Sequence, residues 1–242
     1  MSKSKPANTS LLDRKPSAVT NSRVLTWIEG AILALPKREF RKKSKRKVHV
    51  VTNALRTCSD NCRKIERLEM HGVRLPEILK LYEASQFCLM YEADLTILIC
   101  DAVCRSERWE SHLYGRLLAM TMLECVEDIP QVLGKEFRNA LFTLDSDAAK
   151  KARLNNFVSQ LANFRKTHEH DLRYIRTIAA AHRDHDVRRQ LEVIDTIDIR
   201  RLMDLSKELV SILVLFTELM TDVLVELNVW KQVLKKPAAS RY

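Results

Sequence analysis

The chain has 242 residues, of which 46% are hydrophobic and only 4 are Gly and 6 Pro. So few turn-forming residues exclude a strand-and-turn architecture and point to an all-α fold, a helical bundle able to bury its core as one sizeable domain or two small ones. The net charge of +10 is concentrated at one end: residues 1–50 carry 13 Lys or Arg against 3 Asp or Glu, and the remaining 192 residues carry 28 of each.

The first sixteen residues are polar and contain Pro, a composition expected to stay disordered. A short helix is predicted from Ser17 to Leu35, with Val24, Trp27, Ile28, Ala31, Ile32 and Leu35 at helical spacing and Pro36 as its stop. Its rival reading is an interfacial membrane helix, which the thin polar face of Asn21, Arg23 and Glu29 argues against; it is too short to span. Next comes the densest cationic run, Lys37, Arg38, Arg41, Lys42, Lys43, Lys45, Arg46 and Lys47, eight basic residues in eleven. Such a cluster neutralises phosphates by counterion release and is the candidate nucleic-acid-binding element, against the plainer reading of a solvated basic face. Phe40 is its single aromatic residue, so it contains no base-stacking platform. The predicted organisation is a basic N-terminal tail over 1–47 with one short helix, then a helical bundle domain over 48–242.

Within the bundle, a helix is expected from about Val48 to His71 on Val51, Leu55, Cys58, Cys62, Ile65 and Leu68, and a long one from Pro76 to about Arg105 on Ile78, Leu79, Tyr82, Leu89, Ala93, Ile97, Cys100 and Val103. The next runs from about Glu107 to Leu133 with Leu113, Leu117, Met120, Leu123 and Val126 inward, Pro130 kinking it and Gly134 closing it. A short helix follows over Glu136 to Leu144, and Asp145-Ser146-Asp147 supplies an N-cap for the segment from Ala148 to about Ala181. The last, from about Asp198 to Val233, carries the run LVSILVLF, too short an apolar stretch for a membrane span and suited to a buried bundle helix or a dimer seam.

The six cysteines fall inside predicted helices and no secretory signal precedes them, which fits reduced thiols in the cytoplasm. Cys58/Cys62 and Cys100/Cys104 are spaced i,i+4 but lack the common zinc-ligand spacing, and adjacent helical positions keep His168, Glu169, His170 and Asp171 from converging on a metal. His182 with His185 or Asp186 is the remaining pairing at metal-ligand spacing; no metal and no cofactor is expected. There is no Gly-rich phosphate loop, no GxSxG elbow and no zinc-finger spacing, which removes the usual signals of nucleotide hydrolysis and serine catalysis.

One stretch holds side chains suited to RNA cleavage, Arg176-Thr177-Ile178-Ala179-Ala180-Ala181-His182-Arg183-Asp184. Arginine stays cationic and binds phosphate with a planar fork, and histidine carries a proton either way near neutral pH. In an unbroken α-helix, residues six apart are rotated by about 120° at ~100° per residue, so Arg176 and His182 converge on one phosphate most simply from two copies across a two-fold axis. The alanine spacer permits close helix approach at such a junction.

This arrangement, an Arg followed at four to six residues by a His at the end of a helix in an all-α bundle, resembles the signature of HEPN domains, found in toxin, abortive-infection and CRISPR-associated ribonucleases. The Ala-His-Arg-Asp sequence at 181–184 resembles the ending common in abortive-infection members, and Thr177 stands where active members often carry Asn, Asp or His. The resemblance, covering about Leu75 to Val233, implies a metal-independent endoribonuclease of a toxin or phage-defence system. It would act as a homodimer with a composite cleft, with RNA as its substrate and a regulatory or antitoxin partner. His182 would serve as general acid or base and Arg176 would stabilise charge on the phosphate, with Thr177, Arg183, Asp184 and His185 in support. A non-catalytic helical interaction protein, holding nucleic acid or an acidic partner on its basic tail, is the alternative.

Overall fold

The structure is a computed structural model that describes residues 37–70, 75–104, 107–177 and 187–227. The predicted disordered start, the helix over 17–35 and the end of the chain beyond Leu227 lie outside the described residues. Among the described residues there are seven helices: α1 (Lys37–Met70), α2 (Pro76–Cys104), α3 (Arg108–Val132), α4 (Lys135–Leu144), α5 (Ala148–Ile175), α6 (Val187–Thr196) and α7 (Ile199–Leu227). No strand occurs among the described residues, and the fold is an all-α helical bundle. None of these helices is long and apolar enough to cross a membrane.

Local chemistry explains most boundaries. Pro76 opens α2, where its missing N–H costs nothing. The Asp147 carboxylate accepts the Ala149 N–H at 2.8 Å at the start of α5, and Asp198 accepts the Arg201 N–H at 3.1 Å at the start of α7. Helix α3 continues through Pro130 to Val132, and Gly134 donates its N–H back to the Gln131 carbonyl at 3.2 Å before α4 begins. The start of α1 departs from expectation. It begins at Lys37 rather than near Val48, so the basic run is the first part of a 34-residue helix, anchored by the burial of Phe40 and Ser44.

The chain forms two compact units, each assembled from separate stretches. The first contains the described residues up to Arg46, Asp94–Glu124 and Phe164–Ser211. Its core takes Leu95 and Ile99 of α2, Leu118, Ala119 and Met122 of α3, Phe164, Leu172 and Ile175 of α5, and Leu202, Leu205 and Leu209 of α7. Gly115 lets α3 approach closely: a Cβ there would sit 2.4 Å from Ile199 Cδ1. Two residues expected inward face out instead, Ile97 (40% exposed) and Leu113 (43% exposed). Leu95 and Ile99 take the inward positions around Ile97, because this part of α2 is apolar on several sides and only packing selects the face.

The second unit contains Lys47–Ala93, Cys125–Asn163 and the described residues from Ile212. Phe216 of α7 sits at its centre, with ring centroids 5.9 Å from Phe137 and 5.2 Å from Phe157. Its buried charges are bracketed. Glu92 meets Lys47 Nζ at 3.3 Å and accepts from the Thr217 hydroxyl at 3.2 Å. Lys150 donates to Asp145 at 2.5 Å and to Glu226. Cys58, Cys62, Cys88 and Cys125 are free and buried here, and burial pushes the Cys58 and Cys62 thiols up to about 11.

Candidate nucleic-acid interface and the Arg176 site

Helix geometry sorts the basic run of α1. Phe40 and Ser44 are buried, and Arg41, Lys42, Lys45 and Arg46 are exposed. At ~100° per residue those four cations occupy one sector of roughly 140°, away from the Phe40 side. The structure thus brings together four of the eight predicted phosphate-binding residues. Lys43 is half-buried, Lys47 belongs to the second unit and is committed to Glu92, and Lys37 and Arg38 lie in the helix with their side chains outside the description. In the second unit, Arg56, Arg63, Lys64 and Arg67 of α1 are also exposed. Sequence reasoning passed over them because acidic residues are interspersed and no dense run marks them.

Arg176 comes at the end of α5. In the first unit this helix buries Phe164, His168, Leu172 and Ile175 at spacings of four, four and three, a single stripe. His168 fills a position the periodicity left open; its ring packs edge-on against Phe164 at 4.8 Å. The neighbours diverge as helical geometry requires. Glu169 accepts from Arg165 Nε at 2.9 Å and from Arg173 Nη2 at 2.7 Å, and these two guanidinium groups hold its carboxyl down to about 2. His170 is exposed beside Asp171 at 3.3 Å. No group of three metal-ligating side chains occurs among the described residues.

Regular α-helix ends at Ile175, and the backbone widens into a π-type turn at Arg176 and Thr177. Arg176 is half-buried and Thr177 exposed. The predicted continuation to Ala181 lies outside the described residues beyond Thr177, and the 120° separation calculated for an unbroken α-helix does not apply once the backbone has widened at Arg176. Single π turns inside or at the ends of helices occur frequently at functional sites. His182, Arg183, Asp184, His185 and Asp186 lie outside the described residues.

The chain matches no family model, no curated protein and no solved structure. Its chemistry must therefore be argued from its own side chains.

A second cationic cluster in the first unit was not foreseen. On α3, Arg108 donates from Nε to His112 Nε2 at 3.4 Å and from Nη2 to Asp195 of α6 at 3.1 Å. The Arg116 guanidinium lies 5.5 Å from the centre of the Trp109 indole. His112 is buried, and desolvation together with the charges of Arg108 and Arg116 lowers its pKa against the opposing pull of Asp195. The neutral ring that accepts at Nε2 carries its proton on Nδ1, and that buried atom has no hydrogen-bond partner among the described residues. The missing signal was long-range: nothing local announces that Trp109 stays 55% exposed or that Asp195 comes to Arg108.

The second unit offers a different feature, a cleft of about 570 Å³ lined by Lys80, Glu83, Phe87, Gln131, Lys135 and Glu136 among others. Lys80 bridges it, 3.7 Å from Glu83 and 3.4 Å from Glu136. None of the predicted site residues lines it.

Proposed function

We propose that this chain is a HEPN-type endoribonuclease of a toxin or defence system that works as a homodimer, with Arg176 and His182 as its catalytic pair. The observation that supports the reading is the placement of Arg176 directly after the regular α-helix of α5, which carries a single buried stripe in an all-α bundle, at the turn where the hydrogen bonding changes. In this chemistry His182 takes the proton of the ribose 2′-hydroxyl or delivers one to the leaving 5′-oxygen. The 2′-oxygen bonds to phosphorus, the P–O5′ bond breaks, and a cyclic phosphate and a 5′-hydroxyl result. Arg176 stabilises the charge that builds on the phosphate oxygens, and DNA, lacking the attacking hydroxyl, is not a substrate.

The test is incubation of the purified full chain with labelled single-stranded RNA in a metal chelator, with analysis of the product ends. Cyclic phosphate ends that disappear, with at least a roughly 100-fold rate loss, in both Arg176→Ala and His182→Ala are expected for a base and a charge-stabilising group. Absence of cleavage by the parent, or cleavage that survives both changes, ends this reading.

The exposed sector of Arg41, Lys42, Lys45 and Arg46 favours a second reading, a non-catalytic bundle that holds nucleic acid or an acidic partner on α1. Four phosphate contacts would give single-stranded RNA binding a salt slope of about −3 on logarithmic axes. Slope without cleavage would select this reading over the first.

A further inference from the structure

We propose that Trp109, with Arg108 and Arg116, forms a stacking platform on α3 for an unpaired base of single-stranded RNA. The proposal deepens the RNA reading and rests on it for the ligand, but it concerns residues that neither the basic run nor the Arg176 motif contains.

The argument begins with helix spacing. Arg108, His112 and Arg116 follow at i, i+4 and i+8, and Trp109 lies three residues before His112 and seven before Arg116, so all four share one flank of α3. On that flank the large aromatic side chain is 55% exposed, whereas Phe137, Phe157, Phe164 and Phe216 are fully buried. An exposed indole beside a guanidinium presents a flat apolar face and a cation together, the pairing that holds a base and its phosphate in single-strand binders. Every base offers a π-face, so such a platform tolerates sequence and discriminates only against bases already paired.

Arg108 supplies the second cation, and two of its contacts set its direction. His112 Nε2 accepts from its Nε, and Asp195 accepts from its Nη2. The remaining N–H donors of Arg108 have no hydrogen-bond partner among the described residues, which leaves them for a phosphate oxygen. The pair with Asp195 is exposed on both sides, 73% and 64%, and pairs of that kind contribute little and yield readily to a competing anion. His112 is a positioning residue: buried and held toward its neutral form, it keeps a lone pair for Arg108. Arg108 and Arg116 bring two guanidinium groups to the flank of the indole, and the planar fork of each matches the oxygens of a phosphodiester. The arrangement also supplies what the α1 run lacks, since the aromatic side chain within that run, Phe40, is buried.

The test uses the full-length His182→Ala chain, so that RNA stays intact, and measures anisotropy of three labelled ligands: a short single strand, its duplex, and a strand of the same length with abasic positions. Trp109→Ala is expected to weaken the single strand about 10-fold or more, and Trp109→Phe, which keeps a stacking face, far less. Duplex and abasic strand should bind the parent and Trp109→Ala alike, and Arg116→Ala should weaken all three. Retained folding of Trp109→Ala is checked by its melting temperature, and the Phe variant gives the stacking answer independently. Equal single-strand affinity in the parent and Trp109→Ala, or equal losses on all three ligands, overturns the platform. Cleavage by the unmodified chain is scored separately, so a ribonuclease without the platform, or the platform without a ribonuclease, is told apart.

Discussion

The two units differ in how completely they pair their buried polar groups, although the first also pairs buried Lys207 with Asp204 at 2.6 Å. In the second, each buried charge is closed off by partners: Glu92 by Lys47 and Thr217, Lys150 by Asp145 and Glu226. In the first, the two buried side-chain polar atoms without a hydrogen bond among the described residues occur together, His112 Nδ1 and Arg201 Nε, and an indole and four α1 cations stand exposed. An unpaired buried donor costs about 1–3 kcal/mol. A fold tolerates such groups at a cost in stability, so the first unit carries a polar penalty that the pairing in the second avoids.

The sharpest way to break this comparison is to attack the brace. Phe216→Ala removes the ring that joins Phe137 and Phe157 and is expected to lower stability by about 4 kcal/mol in chemical denaturation. A loss under about 1 kcal/mol would mean that the aromatic centre is not what holds the second unit. In the first unit, Gly115→Val forces branched atoms toward Ile199, Leu202 and Ile197 and should cost about 2 kcal/mol by the same measurement.

A smaller effect tests the charge clamp before Arg176. Glu169 has its carboxyl lowered from 4.5 to about 2, so it contributes stability that is fully present above about 4.5 and is lost as pH falls toward 2. Calorimetry should find Glu169→Gln melting below the parent at neutral pH, with the gap closing across that window; a gap that persists at pH 2 would assign the effect to packing. The smallest change is expected from reversing Arg41, Lys42, Lys45 and Arg46 to Glu. Stability should shift by no more than about 0.5 kcal/mol per site, while RNA affinity and its salt slope collapse. Strong destabilisation there would show that the exposed cations brace the fold after all.

Much of the fold was legible because punctuation and periodicity agreed. Pro76, Gly134, Asp147 and Asp198 mark ends that follow from missing donors and side-chain caps, and α2 to α4 fall within a residue or two of expectation. Two other features were set by packing. The start of α1 was hidden because eight cations surround its buried Phe40 and Ser44, too little apolar signal for periodicity to register. The outward turn of Ile97 and Leu113 was hidden for the opposite reason, an excess of apolar residues that fits more than one face. At the site, the helix leading to Arg176 was foreseen but the π-type turn at Arg176 and Thr177 was not, since no local residue type announces that change of hydrogen bonding. Trp109 and Asp195 became visible only in three dimensions, because residues 87 apart in sequence meet at Arg108.

The interleaving of the units also dictates the order in which a ribosome can finish them. The first unit needs the stretch ending at Ser211, and the second still lacks Phe216 when that stretch has been made. The early helices therefore emerge with apolar faces uncovered and wait for α7, the last described helix, to complete both cores. Nascent chains that stall before residue 212 should be the ones that recruit chaperones and proteases, and removing either end of the chain cannot liberate one unit intact.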